Sequence, residues 1–306
     1  MEKLGLVIVC LILGIALKAL KVFPANAAHT LNRFVIYVSL PATTLYYVHA
    51  FNPGTLGAVP LWMPIATAWI IFAAALGFFA LIAKVRKWPP GLTGALILTA
   101  GLGNTSFVGF AVLEALYGPD ALPLAILVDQ PGTFLALATA GITVAVTFAG
   151  KSLEPLAILK RVFTFAPLLA LVLALATRSI AYPAALQFWL ERLASTLVPL
   201  ALVAVGMELS FAPASLEREL PYVALGLGFK LFLAPILIFG LYATALGFTG
   251  LPLKIAVLEA AMAPMITAGI VAAEYELRPE LAALMVGIGI PLSLLTVLGW
   301  NWALGF

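Results

Sequence analysis

The chain is written twice with an offset of about 159 residues, and this repetition constrains its fold more than any single motif. Pro24-Ala25, Leu31 and Arg33 recur as Pro183-Ala184, Leu190 and Arg192 at unchanged spacing. Gly91-Leu92 recurs as Gly250-Leu251. Pro119-Asp120-Ala121-Leu122 recurs as Pro279-Glu280-Leu281, one residue out of step, and Asp129-Gln130-Pro131 as Gly289-Ile290-Pro291. The copies are residues 1–150 and 151–306, and each holds five long apolar runs. An odd number of spans makes the second copy enter a bilayer from the opposite face. The result is an inverted repeat, the construction of many secondary transporters.

A composition of 64% hydrophobic and 9% charged residues, with mean hydropathy +1.15, excludes a water-soluble domain. Ten spans are expected, near 4–20, 31–50, 60–83, 91–116, 121–149, 162–180, 184–210, 220–246, 250–274 and 280–304. Each approaches the length that crosses a ~30 Å hydrocarbon core. Backbone in lipid must satisfy its own hydrogen bonds, and the strict alternation of a membrane barrel is missing, so the fold class is all-α and polytopic. Residues 4–17 resemble a signal peptide, but Lys18 and Lys21 flank the wrong end of the apolar run, and the segment has a partner in the second copy. Cys10, the single cysteine, rules out an internal disulfide.

The net charge of +3 matters less than its distribution. Loops after spans 1, 3, 5, 7 and 9 carry Lys18, Lys21, Arg33, Lys84, Arg86, Lys87, Lys151, Lys160, Arg161, Arg218 and Arg278, whereas the opposite face has Lys3, Arg178, Arg192 and Lys254. By the positive-inside rule both termini face away from the cytoplasm, across a plasma or inner membrane. These cations orient a membrane protein, so they call for no nucleic-acid partner. The tryptophans Trp62, Trp88, Trp189, Trp300 and Trp302 fall at span ends and read as interfacial anchors.

Spans 4 and 9 are rich in helix breakers at matching depth: Gly101-Leu102-Gly103-Asn104-Thr105-Ser106 in one, Ala263-Pro264-Met265 in the other. Applying the offset sets Thr105 on Pro264, each break lying about 20 Å along its helix, near the bilayer midplane. Irregular backbone at that depth survives only where protein or a water-filled cavity surrounds it, and two such breaks related by pseudo-symmetry mark a binding site. Half-helices starting after Asn104 and at Pro264 would point unpaired N–H groups and positive dipole ends to the centre, which favours an anion. Pro264 is expected in the first turn of its half-helix, where its missing N–H costs nothing. Asn104, Thr105, Ser106, Pro264 and Met265 are therefore the candidate substrate-binding residues. An ordinary proline kink and glycine-mediated helix packing are the competing readings.

Leu40-Pro41-Ala42, Gly103-Asn104-Thr105-Ser106-Phe107-Val108-Gly109, Val205-Gly206-Met207-Glu208-Leu209 and Ala263-Pro264, in this order and spacing, resemble the auxin efflux carrier family over the whole chain. Its relatives by fold include the bile acid sodium symporters. The resemblance implies two broken helices that cross beside the substrate, a scaffold panel able to form a dimer interface, elevator-like alternating access, and small organic carboxylates as substrates. Plant members carry proline at both crossings, but Thr105 takes the matching place here. They also carry a long loop between spans 5 and 6, for which only Lys151 to Arg161 stands.

Ionisable residues inside spans cost about 2.5–3.5 kcal/mol each on insertion scales, so each needs a reason. Asp129, followed by Gln130, lies about 12 Å into span 5 and has Gly289 as its repeat counterpart, so a symmetric scaffold does not require it. It is a candidate proton carrier. Glu259 resembles in position the acidic residue near the sodium sites of bile acid symporters, but Ala263 replaces the glutamine found close behind it there. A proton role, a sodium role and a hydrogen bond to unwound backbone all remain open for it. Lys230, about 15 Å into span 8, is expected to pair with an intramembrane carboxylate such as Asp129 or Glu208, to act as a fixed cation in place of a metal, or to snorkel. Glu114 and Glu208 lie nearer span ends, where interfacial solvation suffices.

No H-E-x-x-H, G-x-S-x-G or Cys/His cluster is present, which argues against an enzyme, and nothing calls for a cofactor or a metal. The expected function is secondary active transport of a small organic anion, proton-coupled or uniport. Sodium-coupled symport and an anion channel are the alternatives, and a homodimer is left open.

Overall fold

The computed structural model describes residues 2–52, 54, 59–209 and 213–305. Every regular element among them is helical: α1 (Glu2–Ala19), α2 (Ala27–Phe34), α3 (Leu40–Ala50), α4 (Trp62–Arg86), α5 (Pro90–Gly101), α6 (Phe110–Tyr117), α7 (Leu122–Val128), α8 (Ile142–Phe148), α9 (Pro155–Phe163), α10 (Ala166–Ala176), α11 (Ala184–Ala194), α12 (Leu197–Glu208), α13 (Pro213–Gly228), α14 (Ala234–Phe239), α15 (Gly250–Ala260), α16 (Ile266–Glu274) and α17 (Pro279–Ala303). Wide π-helical turns join several of them end to end, at Val35–Ser39, Thr105–Gly109, Asp129–Phe134, Leu137–Gly141, Phe229–Leu233 and Gly240–Ala245.

Five of the described helical stretches are long and apolar enough to cross a bilayer, namely Trp62–Arg86, Pro119–Phe148, Ala184–Glu208, Leu216–Ala245 and Pro279–Ala303. The pair α9 and α10 makes a sixth if taken as one span, but it is bent by 55°. The expected span 162–180 is therefore not straight at its start. Phe165 is extended (ψ 107°), and Pro167 in the first turn of α10 cannot continue the preceding helix. Leu4–Ala19, Pro90–Gly101 and Thr105–Tyr117 are apolar but shorter. The side chain of Lys3, one of the expected outer-face cations, lies outside the described residues.

By its internal contacts the chain forms two compact units, Met1–Gly57 with Ser106–Ile126 and Lys160–Leu209, and Ala58–Thr105 with Leu127–Leu159 and Ser210–Phe306. Each draws on both halves of the sequence.

In the first unit α1 crosses α12 at two glycines. A Cβ on Gly14 would stand 2.2 Å from the Val203 carbonyl oxygen, and one on Gly206 would stand 2.3 Å from that of Leu11, so the backbones approach as only glycine allows. The Lys18 ammonium donates to the Leu209 carbonyl at 2.7 Å, satisfying an acceptor that the end of α12 leaves open. Asn32 Nδ2 donates to Glu208 at 2.5 Å, Ser39 and Thr196 share a hydrogen bond at 2.7 Å, and His49 stacks on Tyr182 with ring centres 3.6 Å apart. The outward face of α1, with Ile8, Val9 and Ile12, is exposed and apolar, as a lipid-facing helix requires.

The second unit contains a large buried apolar cluster that runs from Met63 on α4 to Met285 on α17. α4 stops at Lys87, whose left-handed backbone (φ 53°) lets Trp88 N–H bond back to the Ala83 carbonyl. Pro89 is then extended and Pro90 opens α5, where a missing N–H is tolerated. Phe79 packs on Phe229 with centroids 5.4 Å apart, and the buried Tyr242 hydroxyl donates to the Met63 carbonyl at 2.8 Å. On one surface of this unit Arg218 and Arg278 pair with the buried Glu219 at 2.9 and 2.8 Å.

Candidate functional site

The breaks in the two glycine- and proline-rich helices are hydrogen-bonded to each other within the second unit. α5 ends at Gly101, Leu102 is extended (φ −116°, ψ 130°), and helical turns resume at Thr105. α15 ends at Ala260, Met265 is extended (φ −68°, ψ 126°), and α16 starts at Ile266. Asn104 N–H donates to the Ala263 carbonyl at 2.7 Å and Met265 N–H to the Leu102 carbonyl at 3.0 Å, with Gly103 and Pro264 opposed as an antiparallel pair. Each break thus supplies backbone partners that water would supply elsewhere.

This geometry corrects the expected place of Pro264. It lies in the extended break, two residues before α16, instead of in the first helical turn. The bonds on either side of it come from Asn104 and Met265, so the proline occupies a position that needs no donor.

Two contacts beside the breaks, at positions that the sequence offset of about 159 residues pairs, have opposite chemistry. In the second copy, a Cβ on Gly289 would stand 2.5 Å from Pro264 Cδ, so α17 passes the proline ring with no room for a side chain. In the first copy the counterparts are Thr105 and Asp129, and Thr105 Oγ1 donates to Asp129 Oδ1 at 2.5 Å. A ring against a glycine on one side becomes a hydroxyl against a carboxylate on the other. Both Thr105 and Asp129 are buried.

Asp129 and Lys230 both sit in wide turns, Asp129–Phe134 and Phe229–Leu233, and π turns free backbone groups and recur at functional sites. In each turn an indole from a neighbouring helix binds a carbonyl. Trp69 Nε1 of α4 donates to Pro131 O at 3.0 Å, and Trp300 Nε1 of α17 donates to Leu231 O at 2.9 Å. Trp300, expected as an interfacial anchor, is thereby an internal staple.

Lys230 is 1% exposed, which excludes snorkelling. Its ammonium donates to the Ala260 carbonyl at 3.1 Å, at the C-terminal end of α15 where the helix dipole favours a cation. It also lies where a Cβ on Gly103 would be, 2.9 Å away, so the glycine makes room for it. The carboxylate whose charge acts on it is Glu259, an intramembrane carboxylate of the expected kind, while Glu208 belongs to the first unit and accepts from Asn32. Glu259 feels the charges of both Asp129 and Lys230. Its carboxylate oxygens are buried with no hydrogen-bond partner among the described residues, which sets aside the expected bond to unwound backbone. Two carboxylates against one ammonium leave this interior with one net negative charge when all three are ionised, a balance that invites a proton or a cation.

Asn104, Thr105, Asp129, Gln130, Lys230, Glu259 and Pro264 thus all lie buried in the second unit, and Met265 is half-buried there. Ser106, also buried, opens the stretch that belongs to the first unit. The two indole staples escaped the sequence reading. The offset that aligns Thr105 with Pro264 and Asp129 with Gly289 contained the signal for the hydroxyl–carboxylate pair. The first unit has its own cavity of about 350 Å³, lined by Thr43, Tyr47, Glu114, Glu191 and Ser195 among apolar side chains. Glu114, expected to be solvated at a span end, opens onto it.

The family of membrane transport proteins matches the chain over residues 1–152 and 153–301. An uncharacterized transporter of Methanothermobacter thermautotrophicus is 29% identical over 300 residues, 96% of this chain and 95% of the relative. Another uncharacterized transporter, from Methanocaldococcus jannaschii, is 26% identical over 309 residues, 99% of this chain and 98% of the relative. With matches to transporters spanning nearly its whole length and apolar helices suited to a bilayer, the chain is an integral membrane transporter that belongs to the membrane transport protein family, the auxin efflux carriers.

Proposed function

We propose that this protein is a secondary active transporter of a small organic anion, with ten spans arranged as a five-plus-five inverted repeat. The substrate carboxylate lies at the paired breaks, against Asn104, Thr105, Pro264 and Met265. The observation that carries this reading is the mutual pairing of two interrupted helices, Asn104 N–H to Ala263 and Met265 N–H to Leu102, amid buried polar side chains. Backbone of this kind inside a membrane protein is tolerated where it serves a site.

Protons are the coupling ion in this reading, carried by Asp129 or Glu259. The Lys230 ammonium supports that choice over sodium, because it already occupies the carbonyl end of α15 where a metal cation would be drawn. The remaining parts of the proposal rest on the family resemblance and the cation distribution: an elevator-like cycle, a homodimer, and both termini outside the cytoplasm.

Uptake of labelled malate into proteoliposomes, driven separately by a pH gradient and a sodium gradient, tests the proposal. A pH gradient should drive accumulation and a sodium gradient should not, and Asp129→Asn should abolish pH-driven flux while sparing exchange. Sodium-driven accumulation would overturn proton coupling. Flux at channel rates without saturation would replace the carrier by an anion pore.

A further inference from the structure

The Thr105–Asp129 contact has a directional consequence, because a hydroxyl carries one proton and donates to one acceptor at a time. We infer that Thr105 is the positioning residue that makes proton and substrate binding mutually favourable, so that the carrier is a symporter and not an exchanger of anion for proton. This inference rests on the function proposed above, with the substrate carboxylate beside Thr105.

With Asp129 ionised, the Thr105 hydroxyl is committed to Oδ1 at 2.5 Å. When a proton from the aqueous phase binds Asp129, the new carboxylic O–H donates to Thr105 Oγ1, and the threonine proton turns to the substrate anion. No group is oxidised or lost; one proton enters, and one hydrogen bond changes acceptor. The net charge runs the same way. Glu259 and Lys230 are the other charged groups of this interior among the described residues, and protonating Asp129 removes one negative charge from beside the anion. α4 and the turn Leu137–Gly141, which pack against the Asp129 turn, add no charge near it; Lys84 and Arg86 lie in the last turn of α4.

The repeat supplies an internal comparison. At the pseudo-symmetric position Pro264 meets Gly289, a contact with no proton to give or take. The scaffold needs neither hydroxyl nor carboxylate for that contact, which separates the chemistry of the Thr105–Asp129 pair from packing.

The KM for malate counterflow, measured from acidic to alkaline pH in wild type, Thr105→Ser, Thr105→Val and Asp129→Asn, tests the inference. On its alkaline limb the wild-type KM should rise about tenfold per pH unit, the slope of one obligatory proton. Thr105→Ser should keep that slope, Thr105→Val should flatten it, and Asp129→Asn, whose amide can donate to Thr105 permanently, should bind well at all pH. A pH-independent wild-type KM, a slope of opposite sign, or an unchanged slope in Thr105→Val overturns the inference and leaves the transport function standing. An absence of saturable counterflow in folded wild-type protein removes both.

Discussion

Replacing Gly289 with alanine puts a methyl group in place of a hydrogen at the tightest point beside the paired breaks. The new Cβ would lie 2.5 Å from Pro264 Cδ and 3.0 Å from both Pro264 Cγ and Leu227 Cδ2. Carbon atoms rest at roughly 3.5–4.0 Å, so the ring or the helix must give way by about 1 Å or more. Pro264 cannot retreat freely, because the bonds of Ala263 and Met265 to Asn104 and Leu102 hold the segment on both sides. Overpacking of this kind costs about 1–3 kcal/mol; the ~1 kcal/mol of helix propensity that alanine recovers acts on folding and not on the substrate-bound arrangement. If the strain falls on the substrate-bound arrangement, Vmax/KM for counterflow drops roughly 5- to 150-fold. Gly299→Ala is the control on the same helix, because a Cβ there meets nothing within 4 Å. The assay is malate counterflow in proteoliposomes with matched amounts of folded protein. Wild-type Vmax/KM in Gly289→Ala would refute the argument that the breaks form a tightly specified site.

Other consequences follow from single contacts. Lys230→Met leaves Glu259 buried without its cation and should cost about 3–5 kcal/mol of stability; Lys230→Met with Glu259→Gln should recover most of it. Thermal unfolding in detergent reads both, and a single variant as stable as wild type would remove the charge pairing. Trp69→Phe deletes the donor to Pro131 and should lower stability by about 1–3 kcal/mol by leaving a carbonyl unsatisfied; an unchanged melting temperature would show that the indole staple is dispensable. Gly14→Ala drives a Cβ into the Val203 carbonyl and should reduce the yield of monodisperse protein, whereas Gly5→Ala, open on all sides, should not. Equal yields would deny the close α1–α12 crossing.

The helix breaks were legible because glycine, asparagine and proline mid-span have few other physical uses, and the sequence offset of about 159 residues aligned them. Their length was not legible. A sequence marks where a helix cannot continue, but pairing with a distant segment decides how many residues stay extended, which is why Pro264 precedes α16 by two residues instead of opening it. Which intramembrane carboxylate stands near Lys230 was open for a similar reason. Depth along a helix can be counted, but the face that meets a particular carboxylate depends on packing, and the π turn at Phe229–Leu233 changes the helical phase there. Trp300 illustrates the same limit, since an indole near a span end serves the interface or an interior carbonyl equally well by composition. The bend between α9 and α10 was readable in Pro167, but apolar continuity masked it.

Counterflow of labelled malate in proteoliposomes, run beside Asn104→Ala, tests the central claim most directly. Asn104 contributes its backbone N–H to the pairing of the breaks whatever its side chain, so the substitution leaves that bond in place and removes only the buried amide. The account predicts saturable counterflow by the wild-type protein and a large rise in KM, or loss of counterflow, in the variant. Saturable counterflow with unchanged KM in Asn104→Ala would contradict the placement of the substrate at the paired breaks.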